Sequence, residues 1–376
     1  MMQLVQPDLG EAGEATRVAR PSDKPCRILA LPGRLPDGNT PFVDLLHQGL
    51  RQRGFVVQDW RSFGRLQEAD ILQVHWPEAV FWNRLSRLHP RGARFAAERL
   101  LANADRVKAA GGAVVWTVHD LSPHDGIAPA QRDVWEDFLP RFLARIDAVI
   151  SLSRVGLQEA GGVHPMLRGK PSLVVPHPHF RNVFSPLPSR EAARRALALP
   201  ETGVVLCSVG QIRHYKGLLP LIEIFGAART DATLIVAGNC QDRALADALR
   251  AAGQAAGGSS VRLDLRVLTE REIVEIHAAA DLAVFNFASI LNSGSVLTAL
   301  SLDTPVLAPA RGSLLEVAEA VGPDWMRVAD GLTPDTLRDA VAWVRDMPRG
   351  SRAPLADFEP AELIRRHADF YRTLLA

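Results

Sequence analysis

Two cations stand three residues apart, directly after an apolar run in the second half of the chain. The stretch reads Gly210-Gln211-Ile212-Arg213-His214-Tyr215-Lys216-Gly217. The Arg213 guanidinium offers a fork of N–H donors to two oxygens, and the Lys216 ammonium offers a compact point charge. The pair therefore suits a diphosphate, with Gly210 opening the turn. A solvated basic turn is the alternative interpretation of the same residues.

A second anion-binding element is predicted farther along the chain. The sequence Ser289-Ile290-Leu291-Asn292-Ser293-Gly294-Ser295 precedes a helical run over residues 296–302. Backbone N–H groups at a helix start can meet phosphate oxygens, and the helix dipole assists. We therefore expect phosphate to bind at Asn292, Ser293, Gly294 and Ser295. An ordinary serine N-cap is the alternative.

Gly238 ends another predicted strand, where a residue without a side chain would let the backbone approach a nucleotide. Structural turns use glycine in the same way, so both interpretations stand. No Asp-x-Asp motif occurs where a divalent cation would be needed beside a diphosphate. We therefore predict a metal-independent site, with no cofactor beyond a nucleotide-linked donor.

Histidines concentrate in the first half, where eight of the eleven precede residue 180. They follow three predicted strands: His75 with Trp76, then His119 with His124, then His177 with His179. Parallel strands end at one edge of a sheet, so these side chains are expected to line one cleft. Their mixture suits sugar hydroxyls, although each histidine could instead make a structural hydrogen bond. A zinc site is disfavoured because neither cysteines nor an H-E-x-x-H spacing supports it.

If the sugar of such a donor is transferred with inversion at its anomeric carbon, the attacking hydroxyl of the acceptor must lose its proton. A carboxylate or an imidazole can take that proton. Three carboxylates are candidates: Glu78, Asp120 and Asp125. We favour Glu78, because Pro77 fixes the backbone after the strand and Trp76 offers a wall for a sugar. Asp120 can instead orient His119.

Short apolar runs alternate with amphipathic stretches, which is typical of parallel sheets covered by helices. We predict strands over residues 27–31, 56–59, 71–75, 113–119, 148–152 and 172–176, and again over 204–209, 233–237, 261–265, 282–285 and 305–308. Helices are predicted over residues 41–53, 134–145 and 190–197. The restart of the pattern predicts an α/β fold of two Rossmann-like domains that face each other across a cleft. Asn39, in the turn after the first strand, is expected to reach that cleft, unless the turn is simply structural.

Four segments are predicted from these patterns. Residues 1–24 form a flexible N-terminal tail, residues 25–183 an acceptor domain, residues 184–358 a nucleotide-sugar domain, and residues 359–376 a helix that packs back toward the first domain. The formal net charge of +1 gives no reason to expect nucleic acid as a partner. Three widely spaced cysteines and the absence of a ~20-residue apolar span predict a cytoplasmic protein.

A basic and aromatic stretch over residues 81–108 favours contact with an anionic lipid surface. It contains Phe81, Trp82, Arg84, Arg87, Arg91, Arg94, Phe95, Arg99, Arg106 and Lys108. We expect Pro90 and Gly92 to interrupt its helix. A solvated helix face is the alternative.

Several strings occur together in an order that resembles glycosyltransferase family 94, the xanthan-pathway β-mannosyltransferase type. They are His75-Trp76-Pro77-Glu78, His119-Asp120-Leu121-Ser122-Pro123-His124, Ile212-Arg213-His214-Tyr215-Lys216-Gly217, Asn292-Ser293-Gly294-Ser295, Ala299-Leu300-Ser301-Leu302 and Val321-Gly322-Pro323-Asp324-Trp325. The resemblance covers residues 27–350 and implies a GT-B fold. It also implies an inverting transfer of mannose from GDP-mannose onto a glucuronic-acid-ended, polyprenyl-diphosphate-linked oligosaccharide, in exopolysaccharide biosynthesis at the cytosolic face of the inner membrane.

The same comparison leaves alternatives open. The retaining GT-B family 4 carries a second glutamate on the helix after the phosphate turn, whereas this chain reads Val296-Leu297-Thr298-Ala299-Leu300. That difference disfavours a retaining family 4 enzyme. A transferase that uses another nucleotide hexose (UDP- or GDP-glucose) and an inactive GT-B binding subunit remain the alternatives.

Overall fold

The computed structural model describes residues 24–34, 41–63, 65–83, 85–86, 89–123, 126–184, 186–347 and 350–376. Several predictions fall outside these ranges. They are the tail up to residue 23 and the residues Asn39, Arg84, Arg87, His124 and Asp125.

The first half of the chain folds around a six-stranded parallel sheet, in the order β2-β1-β3-β4-β5-β6. The strands are β1 (Arg27–Leu31), β2 (Val56–Asp59), β3 (Ile71–Val74), β4 (Ala113–Val118), β5 (Ala148–Ser151) and β6 (Ser172–Val174). β3, β4 and β5 are buried along their whole length, because helices cover both faces of the sheet. The strand order reverses between β1 and β3, which is where ligands bind in open α/β sheets.

The second half repeats this architecture in the order β12-β11-β10-β7-β8-β9. The strands are β7 (Val205–Val209), β8 (Thr233–Ala237), β9 (Val261–Asp264), β10 (Leu282–Val284), β11 (Val306–Pro309) and β12 (Met326–Ala329). The prediction of two Rossmann-like domains is confirmed, although β12 was not predicted. The order reverses between β7 and β10, so the two predicted anion-binding elements follow the two strands at this crevice.

The helices lie between the strands, as parallel pairing requires. In the first half they are Phe42–Gln52, Pro90–Ala109, Arg132–Leu143 and Arg154–Val163. The later ones are Arg190–Ala196, Leu218–Ala228, Arg243–Ala255, Glu270–Ala279, Gly294–Ser301, Leu314–Val321, Pro334–Arg345 and Pro360–Leu375. Short 3₁₀ turns occupy Pro77–Phe81, Pro129–Gln131, Pro165–Leu167, His214–Lys216, Gly258–Ser260 and Ala356–Phe358. None of the helices in the described part of the chain is long and apolar enough to span a membrane.

The basic stretch over residues 81–108 is not one continuous helix, as expected at Pro90, whereas the expectation that Gly92 interrupts a helix is wrong. Pro90 is the first residue of the helix Pro90–Ala109, a position where the missing N–H costs nothing. Gly92 lies in the first turn, and a Cβ there would stand 2.7 Å from the Leu85 carbonyl oxygen. Both residues therefore serve the start of the helix and its close packing.

The chain crosses between the two sheets twice, and the two crossings touch. The His179 N–H donates to the Phe358 carbonyl over 2.8 Å, and its ring Nε2 lies 3.1 Å from a Glu359 carboxylate oxygen. The final helix Pro360–Leu375 then packs on Phe42–Gln52, where Ile364 occupies the space beside Gly49. The boundaries of the four predicted segments, after residues 24, 183 and 358, stay predictions.

Candidate active site

Two glycines form the floor of the crevice after β7 and β8. Gly210 has φ +138°, and a Cβ on it would lie 2.7 Å from the Ser295 hydroxyl oxygen. Gly238 has φ +147°, and a Cβ on it would lie 1.8 Å from the Gly210 carbonyl oxygen. Both positions need glycine for its backbone angles and for the close approach. The turn after β7 is thereby brought against the start of the helix Gly294–Ser301.

Lys216 is the charged group at the centre of this arrangement. Its ammonium donates to the Ser295 hydroxyl over 3.3 Å and lies 4.8 Å from the centre of the Phe287 ring. Removal from water lowers the pKa of Lys216 to about 8, an effect that the Asp120 carboxylate opposes and the Arg213 guanidinium adds to. The positive charge of Lys216 is therefore poorly hydrated, and an anion bound beside it would stabilise the charged form.

Arg213 opens the short turn His214–Lys216, and its guanidinium donates to the Ile212 carbonyl over 3.1 Å. It lies near enough to Lys216 to lower the pKa of that ammonium. His214, between the two cations, is exposed and pairs with Asp242 over 2.9 Å. The turn thus keeps Arg213 and Lys216 partly buried and leaves His214 exposed.

The predicted phosphate turn at residues 292–295 lies beside Lys216. Ser293 caps the helix, since its hydroxyl accepts the Val296 N–H over 3.3 Å. The side chain of Asn292 reaches the first domain: it donates to the His119 carbonyl over 3.0 Å and lies 3.4 Å from the Ser153 hydroxyl. The amide of Asn292 therefore ties the two domains together beside the crevice.

Trp76 and His119 meet across the crevice from Lys216. Their rings stack with centroids 4.1 Å apart and an interplanar angle of 16°. The Trp76 indole N–H donates to the Asp120 carboxylate over 3.2 Å. Glu78 lies half-buried in the first turn of Pro77–Phe81. The structure thus brings Trp76, Glu78, His119 and Asp120 to the carboxyl ends of β3 and β4.

His75 is buried behind this group with a histidine that the sequence interpretation missed. His75 Nδ1 lies 3.0 Å from His119 Nε2, and His75 Nε2 lies 3.4 Å from Nε2 of His47. His47 is fully buried on the helix Phe42–Gln52, whose inward face also carries Phe42, Val43, Leu46 and Leu50. A histidine at this helical spacing among apolar residues is the signal that could have identified it.

The two later histidines have different surroundings. His177 lines a cleft of about 680 Å³ between the domains, together with Asn292 and Ser293. Burial lowers the pKa of His177 to about 4, so its ring is neutral. His179 instead lies at the crossing with Glu359.

A further groove of about 630 Å³ opens at the carboxyl ends of β1 and β2. Arg34, Trp60, Arg61 and Phe63 line it, and Ala79 and Asn83 close it from the side of Glu78. The Trp60 indole N–H is held by Asn103 over 3.2 Å, which fixes the ring. The groove combines an aromatic wall with cations, as carbohydrate sites do.

Comparisons with known proteins relate this geometry to an activity. The chain is 27% identical over 351 residues to the GDP-mannose:glycolipid 4-β-D-mannosyltransferase of Xanthomonas campestris pv. campestris. The matched region covers 90% of this chain and 89% of that protein. No family model matches. Sucrose-phosphate synthase from Thermosynechococcus elongatus has the same fold, with a TM-score of 0.67, 16% identity and coverage of 93% of this chain and 99% of that one.

The chain is a GT-B glycosyltransferase. Anabaena Alr3699/HepE, solved in complex with UDP and glucose, superposes on this glycosyltransferase with a TM-score of 0.65 at 14% identity, over 91% of this chain and 98% of that one. The GT-B fold and the resemblance predicted from the sequence are both confirmed.

Proposed function

We propose that this glycosyltransferase moves mannose from GDP-mannose, with inversion to a β-linkage, onto a glucuronic-acid-ended, polyprenyl-diphosphate-linked oligosaccharide in exopolysaccharide biosynthesis. The observation that carries the proposal is the Lys216 ammonium, held beside Ser295 and close to Arg213 at the strand ends where a nucleotide diphosphate would lie. The choice of GDP-mannose and of a glycolipid acceptor rests on the name of the Xanthomonas relative.

The proposed reaction separates charge on the donor side. As the acceptor hydroxyl forms its bond to the anomeric carbon, the bond to GDP breaks and negative charge collects on the leaving diphosphate. Arg213 and Lys216 stabilise that charge, and the N–H groups at the start of Gly294–Ser301 add to it. These fixed charges lead us to propose that the transfer needs no metal ion.

We propose Glu78 as the base that takes the hydroxyl proton. Asp120 accepts a hydrogen bond from Trp76 and interacts with the Lys216 ammonium. The hydrogen bond holds one carboxylate oxygen of Asp120 against Trp76, and the attraction to Lys216 directs the group toward the donor side. Glu78 lies instead on the 3₁₀ turn whose next residue, Ala79, borders the groove lined by Trp60 and Arg61.

Label transfer tests the proposal directly. The purified protein is incubated with labelled GDP-mannose and with lipid-linked oligosaccharides ending in glucuronic acid, and the product is digested with β- or α-mannosidase. We expect label in the lipid fraction that β-mannosidase alone releases. Transfer from UDP-glucose or GDP-glucose in place of GDP-mannose would identify glucose as the transferred sugar. GDP binding without transfer from any nucleotide sugar would indicate an inactive binding subunit.

The proposed acceptor calls for a membrane-facing surface, and one lies next to the groove. Phe63 and Phe95 stack at 5.6 Å with an interplanar angle of 21°. Phe63, Leu85 and Phe95 are about half exposed (52%, 46% and 46%), and Arg91 and Arg94 are exposed in the same helical turn as Phe95. We name these five residues the Phe63–Phe95 patch. Apolar side chains surrounded by arginines suit an anionic lipid surface.

Among the described residues of the basic stretch over residues 81–108, those at the start of the helix Pro90–Ala109 are suited to this contact. At the other end of the helix, Arg106 pairs with Glu68 over 3.2 Å, and Lys108 pairs with Asp147. We therefore propose peripheral attachment to the cytosolic face of the inner membrane through the Phe63–Phe95 patch. The groove shares Phe63 with this patch, so a lipid-linked sugar would enter beside the bilayer.

Flotation with vesicles of mixed anionic and neutral lipids tests the attachment. The double variant Phe63→Ser/Phe95→Ser should lose roughly ten-fold or more in bound fraction, because two phenyl rings no longer enter the lipid. Val267→Ser/Leu315→Ser removes two comparably exposed apolar side chains from the second domain, and should bind like wild type. Equal flotation of all three proteins would contradict the proposed surface.

A further inference from the structure

The groove at the carboxyl ends of β1 and β2 contains two arginines whose charges have no protein partner. Arg34 follows β1 and Arg61 follows β2, and both side chains are exposed. Within the described part of the chain, neither guanidinium group has a hydrogen bond or an ion pair. Arg106, in the same domain, is instead paired with Glu68 over 3.2 Å. Arg34 and Arg61 therefore keep their N–H donors available for a ligand.

The chain around Arg61 is held in place by two side-chain amides. The Gln67 amide oxygen accepts the Arg61 backbone N–H over 2.8 Å, and its nitrogen donates to the Asp59 carbonyl over 2.8 Å. Asn103 accepts the Trp60 indole N–H over 3.2 Å and donates to the Gln67 carbonyl over 3.0 Å. The aromatic wall of the groove and the backbone of Arg61 are thus fixed before a ligand arrives, which lowers the entropic cost of binding.

Asp59 also lines the groove, but it does not neutralise the arginines. A Cβ on Gly33 would stand 1.6 Å from an Asp59 carboxylate oxygen, so a glycine is needed to leave room for this carboxylate. The Gly33 carbonyl in turn lies 2.9 Å from Nδ1 of the buried His47. Although these described residues share one groove, Asp59 forms an ion pair with neither Arg34 nor Arg61. The two cations are therefore left for an anion from outside the protein.

We propose that Arg34 and Arg61 bind the carboxylate of an acidic sugar at the end of the acceptor, while the sugar ring packs against Trp60. This inference rests on the proposed function and names the residues that select the acceptor. A guanidinium group stays protonated and presents several N–H donors to carboxylate oxygens. The Asp59 carboxylate can accept a hydrogen bond from a hydroxyl of the same sugar.

The position of the groove favours a carboxylate on the sugar that reacts. Ala79 borders the groove and directly follows Glu78, the proposed base. In an acidic sugar the carboxylate and the attacking hydroxyl belong to one ring, so the site for the carboxylate must lie within one ring's length of the base. The diphosphate of a lipid carrier lies at the far end of the oligosaccharide and is not held to that distance.

Sugar binding measured by NMR tests the inference without any transfer. Saturation-transfer spectra are titrated with methyl β-D-glucuronide and with its neutral counterpart methyl β-D-glucoside, with saturating GDP present to fill the diphosphate site. The wild type should bind the glucuronide roughly ten-fold more tightly, since water screens exposed ion pairs and keeps the preference modest. Equal affinity for the two sugars would overturn the inference. Displacement of the glucuronide by inorganic pyrophosphate would also overturn it, because the groove would then belong to the phosphates of a lipid carrier.

Variants locate the effect in the groove. Arg34→Gln and Arg61→Gln should each lower the affinity for the glucuronide roughly three-fold, and the double variant should abolish the preference, with glucoside binding unchanged. Arg65→Gln is the matched control. Arg65 is exposed in the same connection between β2 and β3 and has no partner among the described residues, but it does not line the groove. A preference that survives in the double variant, or that Arg65→Gln loses equally, would overturn the inference.

Transfer kinetics separate this inference from the proposed function. With an acid-ended acceptor, the double variant Arg34→Gln/Arg61→Gln should raise the KM for the acceptor on the order of ten-fold. Its kcat and GDP affinity should stay near wild type, because the carboxylate is bound equally before and during the reaction. Equal transfer of mannose by the wild type to acid-ended and neutral acceptors would overturn the inference and keep the mannosyl transfer. Preference for the glucuronide without any mannosyl transfer would support the inference and overturn the proposed transfer.

Discussion

The two halves of the crevice present different chemical groups. The second domain presents two cations, Arg213 and Lys216, on a floor of glycines. The first domain presents the stacked Trp76 and His119 rings, backed by neutral buried histidines. A leaving diphosphate develops charge and needs fixed positive charge, whereas sugar hydroxyls need oriented neutral groups. This comparison predicts that substitutions in the first domain lower the rate of transfer without changing the affinity for GDP. Substitutions in the second domain should weaken GDP binding as well.

Glu78→Gln should have the largest effect on transfer. A glutamine amide cannot take the hydroxyl proton, so kcat should fall on the order of 10³-fold. The affinity for GDP, measured by calorimetry, should stay at the wild-type value because Glu78 lies in the first domain. A near-normal kcat would move the base to Asp120 or Asp125.

Lys216→Ala should remove the central charge of the donor half. We expect a loss of about 10²-fold or more in kcat/KM, together with weaker GDP binding. His214→Ala is the control, because His214 belongs to the same turn but pairs with Asp242 at the surface. If the two variants behaved alike, the diphosphate would have to lie elsewhere.

The affinity for GDP should depend on pH through Lys216. Its pKa of about 8 in the free protein means that the ammonium loses its proton as the pH rises above that value. Calorimetric GDP affinity should be constant below this pH and weaken above it by at most about ten-fold per pH unit. The same lowered pKa makes the group's contribution to folding stability unfavourable at low pH, and this cost disappears as the pH rises from about 8 to 10.5.

Lys216→Arg should flatten that pH profile, because a guanidinium stays charged throughout the range. An identical profile in this variant would assign the titration to another group.

Asn292→Ala should have the smallest effect. It removes the hydrogen bond to the His119 carbonyl, so the free energy of unfolding in urea should fall by about 1 kcal/mol. Gln254→Ala, at an exposed position of the helix Arg243–Ala255, should change it little. A stability unaffected by the loss of Asn292 would show that this tie between the halves carries no net energy.

Local patterns were enough to predict the strand ends and the position of the turn that carries Arg213 and Lys216. Arg213 and Lys216 lie within four residues of each other. The short apolar run before them predicts a strand, so the local sequence was enough to place both cations directly after it. The same holds for Trp76 and Glu78, which follow β3 directly.

Contacts between distant residues could not be predicted in this way. The contacts between the buried histidines join His47, on a helix, to two strand ends, and each partner is at least 28 residues away in sequence. The sequence places Asn292 in the predicted phosphate turn, but it gives no sign that the Asn292 amide donates to the His119 carbonyl 173 residues away. Such pairings depend on how the sheets pack, which no local pattern records.

The two touching crossings between the domains have a mechanical consequence. Because the segments at His179 and Phe358 are hydrogen-bonded to each other, both covalent links between the domains pass through one place. A rotation of one domain relative to the other would therefore have its axis near that point. In such a rotation the loops farthest from the axis would move the most, so a small change of angle at His179 would alter the width of the crevice between the domains.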